Sequence, residues 1–247
     1  MDRLIYTAMT GAAATMGQEA AVAHNLANAT STGFKAELHR LRAVPIQNTQ
    51  LPTRAFVVDA SVSDDFTPGP LQHTNRSMDV AVQGKGWLAV QLPDGSEAYT
   101  RAGSLDVDVT GTLQTKGGYP VAGDGGPINI PPDNTIEIAP DGTVSVVPSF
   151  GTPNNANAIG RIKLVNPPEA DLVRGADGLF RLRDGQPAQA DQNVKLASGT
   201  LEGSNVNVTD AMVNLISLSR QFEMQIKMLQ TADTNAQRAD QLLSLSS

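Results

Sequence analysis

The 247-residue chain has no cysteine. A disulfide framework and a thiolate metal site are therefore excluded. Chance accounts for that absence, and so does an oxidising compartment where a free thiol is a liability. Aromatic side chains are scarce: one Trp, three Tyr and six Phe. Basic side chains number 18 against 25 acidic ones, for a formal net charge of −7. A general nucleic-acid binder needs a basic stripe facing the phosphates, so that class is disfavoured. No apolar run approaches the ~20 residues that cross a bilayer. The opening residues Met1-Asp2-Arg3-Leu4-Ile5-Tyr6 lack a basic region followed by an apolar block, so no cleavable signal peptide is expected.

Glycine and proline are missing from particular places. All 15 prolines and 20 of the 22 glycines lie between Gly33 and Gly203. Residues 204–247 contain neither, and the first 32 contain only Gly11 and Gly17. A turn-rich centre is bracketed by two ends that can run as long helices. With 40% apolar residues the chain can bury a core. Its length suits one large or two small domains.

In the N-terminal segment, apolar residues fall at Leu4, Ile5, Ala8, Met9, Ala12, Met16, Ala20, Ala23 and Leu26. Steps of three and four mark one helical face. Gly11 and Gly17 each cost about 1 kcal/mol against Ala there, tolerable where a partner helix must approach closely. The stripe is shallow, so the helix needs tertiary packing. It should stop near Asn28, where Asn28-Ala29-Thr30-Ser31-Thr32-Gly33 favours caps and turns.

The C-terminal segment from Val208 to Leu245 reads as a second helix. Asn207 or Thr209 can cap it, with Asp210 in the first turn. Met212, Leu215, Ser219, Phe222, Ile226 and Leu229 form a heptad seam. Past Asp233 the seam shifts by one residue to Ala232, Ala236, Ala239 and Leu243, which suits packing against several neighbours. About 37 residues give about 55 Å of helix. A compact domain of this size is only ~35–40 Å across.

Between these ends the apolar pattern has period two. Strands are expected at 78–82, 87–92, 98–100, 105–109, 112–115, 128–130, 135–138, 143–147, 158–164 and 179–182. Asp94-Gly95, Asp124-Gly125, Asp141-Gly142, Asp177-Gly178 and Asp184-Gly185 supply turn signals. Residues 36–77, with Pro45, Pro52, Pro68 and Pro70, read as extended segments and loops. The fold class is α+β: long terminal helices packed together, with a central antiparallel β domain. The expected division is a discontinuous helical domain at 1–34 and 204–247, connecting segments at 35–78 and 185–203, and an outward-facing β domain at 79–184.

No catalytic constellation emerges. His24, His39 and His73 have no metal-ligand spacing. Gln83-Gly84-Lys85-Gly86-Trp87 lacks the order of a phosphate loop and reads as a hairpin turn. The glycine-rich stretch from Gly117 to Pro127 reads as a tight turn followed by a strand. Asp106 and Asp108 share a strand face, as a glycosidase pair or a calcium site would require. A solvated strand edge explains them more simply. Trp87 and Tyr99 sit in apolar strand contexts and read as core, with sugar stacking as the alternative use.

Several segments together carry a family resemblance. Asn25-Leu26-Ala27-Asn28-Ala29-Thr30-Ser31-Thr32-Gly33-Phe34-Lys35 resembles the N-L-A-N-x-x-T-x-G-F-K signature of flagellar rod and hook proteins. Val80-Ala81-Val82-Gln83-Gly84-Lys85-Gly86-Trp87, Tyr99-Thr100-Arg101-Ala102-Gly103 and Gly111-Thr112-Leu113 are similar to that family's β domain. Leu201-Glu202-Gly203-Ser204-Asn205-Val206, Met212, Arg220-Gln221-Phe222-Glu223 and Lys227 resemble its C-terminal signature. His24 and Trp87 depart from the commoner residues at their positions. Met1–Met9, Leu41–Pro45 and Phe222–Gln225 look most like the proximal rod members.

The resemblance implies a structural, non-enzymatic subunit of the bacterial flagellar basal-body rod, the periplasmic driveshaft and export channel. Assembly contacts are expected from Leu4, Ile5, Met9, Ala12, Met16, Ala23 and Leu26 on the first helix. The second helix would contribute Met212, Leu215, Phe222, Ile226, Leu229, Ala236 and Leu243. Asn25, Leu26, Asn28, Thr30, Gly33, Phe34 and Lys35 form the signature loop. Expected partners are further copies of the chain, neighbouring rod proteins and the flagellar type III export apparatus. Export would proceed without a cleaved signal peptide. No nucleic acid, small-molecule substrate, cofactor or metal is expected. The alternatives are a distal rod or hook-type protein of the same family, or a β-rich cell-wall glycan-binding module that oligomerises through its helices.

Overall fold

The computed structural model describes residues 2–45, 55–132, 134–148 and 157–244. Pro52 and Leu245 lie outside the described residues. The chain divides into two compact units: Met1–Ala29, Ala36–Asp65 and Val206–Ser247 form the first, Thr30–Lys35 and Phe66–Asn205 the second. Residues 36–65 thus fall in the first unit, and residues 35, 66–78 and 185–203 in the second.

The first unit holds the helices α1 (Asp2–Ala27) and α2 (Val208–Ser244) and the strands β1 (Glu37–Pro45) and β2 (Ala55–Asp64). α1 ends where the amide of the Asn28 side chain turns back to the His24 carbonyl at 3.0 Å. α2 begins at Asn207, whose Oδ1 accepts the Thr209 N–H at 3.0 Å. The two helices pack together, and Gly11 explains how closely. A Cβ at Gly11 would lie 3.4 Å from Gln225 Nε2. One turn on, the Thr15 hydroxyl sits 3.2 Å from Gln225 Oε1. Gly17 serves a different neighbour, since a Cβ there would stand 3.0 Å from His39 Nε2 of β1.

β1 and β2 pair antiparallel as a two-stranded ribbon. The sequence pattern indicated only irregular extended chain here. The ribbon's register shifts opposite Arg40 and Leu41, where β2 carries the extra residue Ala60. Asn25 ties the ribbon to α1. Its side-chain amide donates to the Glu37 carbonyl and accepts the Glu37 N–H, both at 2.8 Å.

The second unit contains sixteen strands among its described residues. They are β3 (Leu71–His73), β4 (Val80–Gln83), β5 (Trp87–Gln91), β6 (Glu97–Thr100), β7 (Leu105–Val107) and β8 (Leu113–Thr115), then β9 (Ala122–Gly123), β10 (Gly126–Pro127), β11 (Asn134–Ile138), β12 (Thr143–Pro148) and β13 (Asn157–Arg161). β14 (Leu164–Val165), β15 (Leu172–Arg174), β16 (Phe180–Leu182), β17 (Lys195–Ser198) and β18 (Thr200–Glu202) complete the set. A five-stranded sheet has the order β14-β5-β6-β16-β15, and a three-stranded sheet the order β11-β12-β13. The pairs β17-β4, β18-β3, β7-β8 and β10-β9 make two-stranded sheets. Every one of these pairings is antiparallel.

Asp94-Gly95, Asp124-Gly125, Asp141-Gly142 and Asp177-Gly178 close hairpins between consecutive strands, as the turn chemistry requires. Gly84-Lys85-Gly86 does not. It joins β4 to β5, which pair in different sheets. Gly86 has φ 128°, and a Cβ there would lie 2.6 Å from a Val194 methyl. The expected strand at 158–164 is two strands, β13 and β14, that pair in different sheets.

Besides a small group of Val90, Leu92, Ala98 and Leu179, two apolar clusters fill this unit. Val80, Leu88, Leu105, Leu113, Val121, Val144 and Ile162 are fully enclosed in the larger. Trp87, Tyr99 and Phe180 centre the smaller, with Phe66 edge-on to Trp87 at 5.7 Å between ring centroids. Neither Trp87 nor Tyr99 presents a face to solvent, being 3% and 1% exposed. A sugar-stacking role for them is therefore overturned: core packing uses the rings. The Tyr99 oxygen accepts the Ala188 N–H at 2.7 Å, and its hydroxyl faces Glu97 Oε2 at 3.3 Å.

Burial pushes the Tyr99 hydroxyl up from its usual 10 to about 12. The native state thus favours the neutral phenol. Its contribution is complete below pH ~10 and is lost as pH rises through about 12. Thermal unfolding midpoints should fall across that window. The Tyr99→Phe chain should fall less steeply, and identical slopes would refute the assignment.

Candidate functional site

The three motifs that resemble family signatures converge on one carboxylate. Lys35 ends the N-terminal signature, Arg101 follows β6, and Glu202 closes β18. Within the second unit they meet out of water, at 1%, 4% and 1% exposure respectively. Lys35 Nζ donates to Glu202 Oε1 at 2.6 Å, and Arg101 Nη1 donates to Glu202 Oε2 at 2.9 Å. Oε1 also accepts the Gly69 N–H at 3.0 Å.

Backbone carbonyls accept further hydrogen bonds from both cations. Lys35 Nζ donates to Thr67 O at 2.9 Å, and Arg101 Nη2 donates to Gly84 O at 2.7 Å. The Arg101 guanidinium also lies over the Trp87 ring, 5.3 Å from its centroid. Arg suits this place because its planar fork serves a carboxylate and carbonyls at once.

Glycines permit the close approach. Gly33 has φ 69°, and a Cβ on it would sit 2.2 Å from the Arg101 backbone. Its N–H donates to the Glu202 carbonyl at 2.8 Å. A Cβ on Gly103 would overlap the Val80 oxygen at 1.6 Å. Phe34 is half-buried under the Arg174 guanidinium, 4.9 Å from the ring centroid. Arg174 Nη2 also donates to the Lys35 carbonyl. So the G-F-K end of the signature is held from both sides.

The other expected residues fall as follows. On α1, Ala12 is buried, Ile5 and Leu26 are half-buried, and Met9, Met16 and Ala23 are exposed. On α2, Leu215, Phe222, Ile226 and Leu229 are half-buried and Met212 is exposed. The side chains of Leu4, Ala236 and Leu243 lie outside the described ones. Asn25 is buried against Glu37, Asn28 closes α1, and Thr30 is exposed. Asp106 faces Arg76 at 3.6 Å, while Asp108 accepts the Thr110 hydroxyl in its own turn. The two carboxylates therefore do not act together.

The pairing of Arg101 and Lys35 with Glu202 was not legible in the sequence. A single charge set between an apolar strand residue and a glycine, as in Leu201-Glu202-Gly203, is the signal that marks it.

Comparison with known proteins agrees with this geometry. A profile of the flagellar basal body rod FlgEFG protein C-terminal region matches residues 197–242, which include Glu202. A profile of the flagellar hook protein FlgE/F/G D1 domain matches residues 81–146, which include Arg101. The chain is 48% identical over 252 residues to the flagellar basal-body rod protein FlgF of Escherichia coli K12, with 100% of both chains covered. It is 46% identical over 252 residues to FlgF of Salmonella typhimurium, again covering 100% of both. FlgG of Buchnera aphidicola from Schizaphis graminum is 32% identical over 243 residues, covering 90% of this chain and 92% of that one.

The shared carboxylate predicts an asymmetry. Glu202→Gln takes the carboxylate from two buried cations at once and should cost about 3–5 kcal/mol. Lys35→Met leaves the Arg101–Glu202 bond in place and should cost clearly less. Urea unfolding of both chains, followed through Trp87 fluorescence, measures the difference. Equal losses would show that the carboxylate does not hold the cluster.

Proposed function

The chain belongs to the flagellar basal-body rod protein family, and from that premise we propose that it is a structural subunit of the bacterial flagellar rod, of the proximal FlgF kind. The single observation that carries this reading is similarity from end to end of the chain at 48% identity. Its work is mechanical: it forms part of the periplasmic shaft and of the export channel that swimming motility requires. Its partners are further copies of itself, neighbouring rod proteins and the flagellar type III export apparatus.

The physical argument rests on the helices. Both carry more apolar surface than their own unit covers, with Met9, Met16, Met212 and Met224 among the exposed side chains. Ordering backbone costs about 1–2 kcal/mol per residue. An Ala- and Met-rich stripe offsets little of that alone, and contact with neighbouring subunits supplies the remainder. A head-to-tail contact between unlike surfaces of identical chains propagates into a helical array, which is what a shaft requires.

Deleting the gene in its native host should stop rod completion and abolish swimming. The chain should be recoverable from purified hook–basal bodies of the parent strain. Phe222→Ala should leave unfolding of the second unit unchanged yet reduce incorporation into basal bodies. Normal swimming with normal basal bodies in the deletion strain would overturn the rod assignment.

A further inference from the structure

The chain has five Asp-Gly pairs and no Asn-Gly pair. An aspartate before glycine is open to attack by its own main chain, because glycine has no Cβ to screen its nitrogen. The Gly nitrogen adds to the Asp Cγ, a C–N bond forms, and a carboxyl oxygen leaves as water. Water then reopens the succinimide ring at either carbonyl. One product is the original Asp. The other is isoaspartate, in which the main chain runs through Cβ and Cγ and the α-carboxylate becomes the side group. Two groups decide the rate: the Gly nitrogen and the Asp carboxyl must both be free to meet.

Four of the five pairs have neither group free. Asp94-Gly95, Asp141-Gly142, Asp177-Gly178 and Asp184-Gly185 share one arrangement. The glycine N–H closes a turn onto the carbonyl three residues earlier. Gly95 reaches Leu92 and Gly142 reaches Ala139 at 2.9 Å, while Gly178 reaches Gly175 and Gly185 reaches Leu182 at 3.0 Å. The aspartate Oδ1 accepts the N–H two residues on. The donors are Ser96 at 2.9 Å, Thr143 at 3.0 Å, Leu179 at 3.1 Å and Gln186 at 3.0 Å. Hydrogen bonds from Ser96, Thr143 and Arg181 also hold the carboxyls of Asp94, Asp141 and Asp177 below the usual range. That depletes the neutral acid, the form that loses water.

Asp124-Gly125 is built differently. Gly123 pairs with Gly126 across β9 and β10, so Asp124 and Gly125 are the two central residues of their turn and not its last two. Among the described residues, no hydrogen bond engages the Asp124 carboxylate or the Gly125 N–H. Both residues are exposed. Open space alone does not set this pair apart, since a Cβ on Gly95, Gly178 or Gly185 would also meet nothing within 4 Å.

We infer that Asp124 is the site at which this chain converts to isoaspartate, and that the fold protects the other four Asp-Gly pairs. The reaction needs no partner but water, so the converted fraction rises with the age of the chain. The added main-chain atom falls in a hairpin of two-residue strands, and the pairings Gly123–Gly126 and Ala122–Pro127 are the first to yield. Ala122 packs against the Trp87 cluster, so the change lies beside the smaller core.

The full-length chain is aged at neutral pH, digested, and each Asp-Gly pair scored by electron-transfer fragmentation, which separates aspartate from isoaspartate. An isoaspartyl carboxyl methyltransferase with labelled S-adenosylmethionine gives an independent total. Isoaspartate at position 124 should exceed the other four pairs together several-fold. A chain aged in urea, where the turns are lost, should convert at all five pairs at comparable rates. Gly125→Ala places a methyl in open space at a φ outside the left-handed region, so the fold should hold while the label falls several-fold. Asp124→Glu keeps the charge but cannot close the five-membered ring, and it serves should Gly125→Ala misfold. Equal conversion of the five pairs in the folded chain, another pair in the lead, the same lead for position 124 in urea, or unchanged label in both variants would each overturn the inference.

Discussion

Glu202 carries one negative charge between two cations, all three shut away from water. Removing three ions from water costs several kcal/mol each, so the cluster endures only while its geometry is complete. The three residues come from positions 35, 101 and 202, and bringing them together draws in the backbone around them. Gly33 must take a left-handed φ to reach Glu202, Gly69 must offer its N–H, and β18 must pair with β3 in register. The remaining donors of the two cations then engage the carbonyls of Thr67 and Gly84, and the Arg101 guanidinium lies over the ring of Trp87. Trp87 in turn anchors the smaller apolar cluster with Phe66, Phe180 and Tyr99. The motifs that resemble family signatures are the parts of the chain that this one carboxylate holds.

The helical unit is governed by the opposite circumstance. Among its described side chains the buried ones are alanines, Thr15 and Asn25, with half-buried leucines beside them and glycine admitting α2 at one point and the ribbon at another. Much of its apolar surface stays in water. Such stripes gain from being covered, and the proposed rod role assigns that cover to neighbouring subunits. A rod needs surfaces unsatisfied in the free subunit and satisfied in the shaft.

Local chemistry was legible where one residue's conformation decides the outcome. Asp-Gly pairs marked four hairpins, and in three of them the glycine has a positive φ and the aspartate accepts the backbone N–H two residues on. Asn207 was legible as a cap for the same reason. Patterns that depend on pairing partners were not. The β1–β2 ribbon stayed hidden, since pairing decides which face each side chain takes and β2 slips its register by one residue at Ala60. β13 and β14 look continuous in sequence, yet hydrogen bonding assigns them to separate sheets. Gly84-Lys85-Gly86 has the composition of a hairpin turn but joins strands whose partners lie elsewhere. Helical periodicity identified α1 and α2 as amphipathic but could not divide their apolar residues between an inner and an outer face, because both faces are apolar.

The sequence by itself determined the class of the protein. Glycine and proline confined to the centre left two ends free to be helices, and the order of the signature segments was enough to indicate the family. Local conformational preference and covalent order are written residue by residue, so they can be read that way. Only the tertiary structure decided which charges meet, which rings are buried and which apolar residues of each helix remain open. Those depend on distances between residues tens to hundreds of positions apart, and no local preference carries that information.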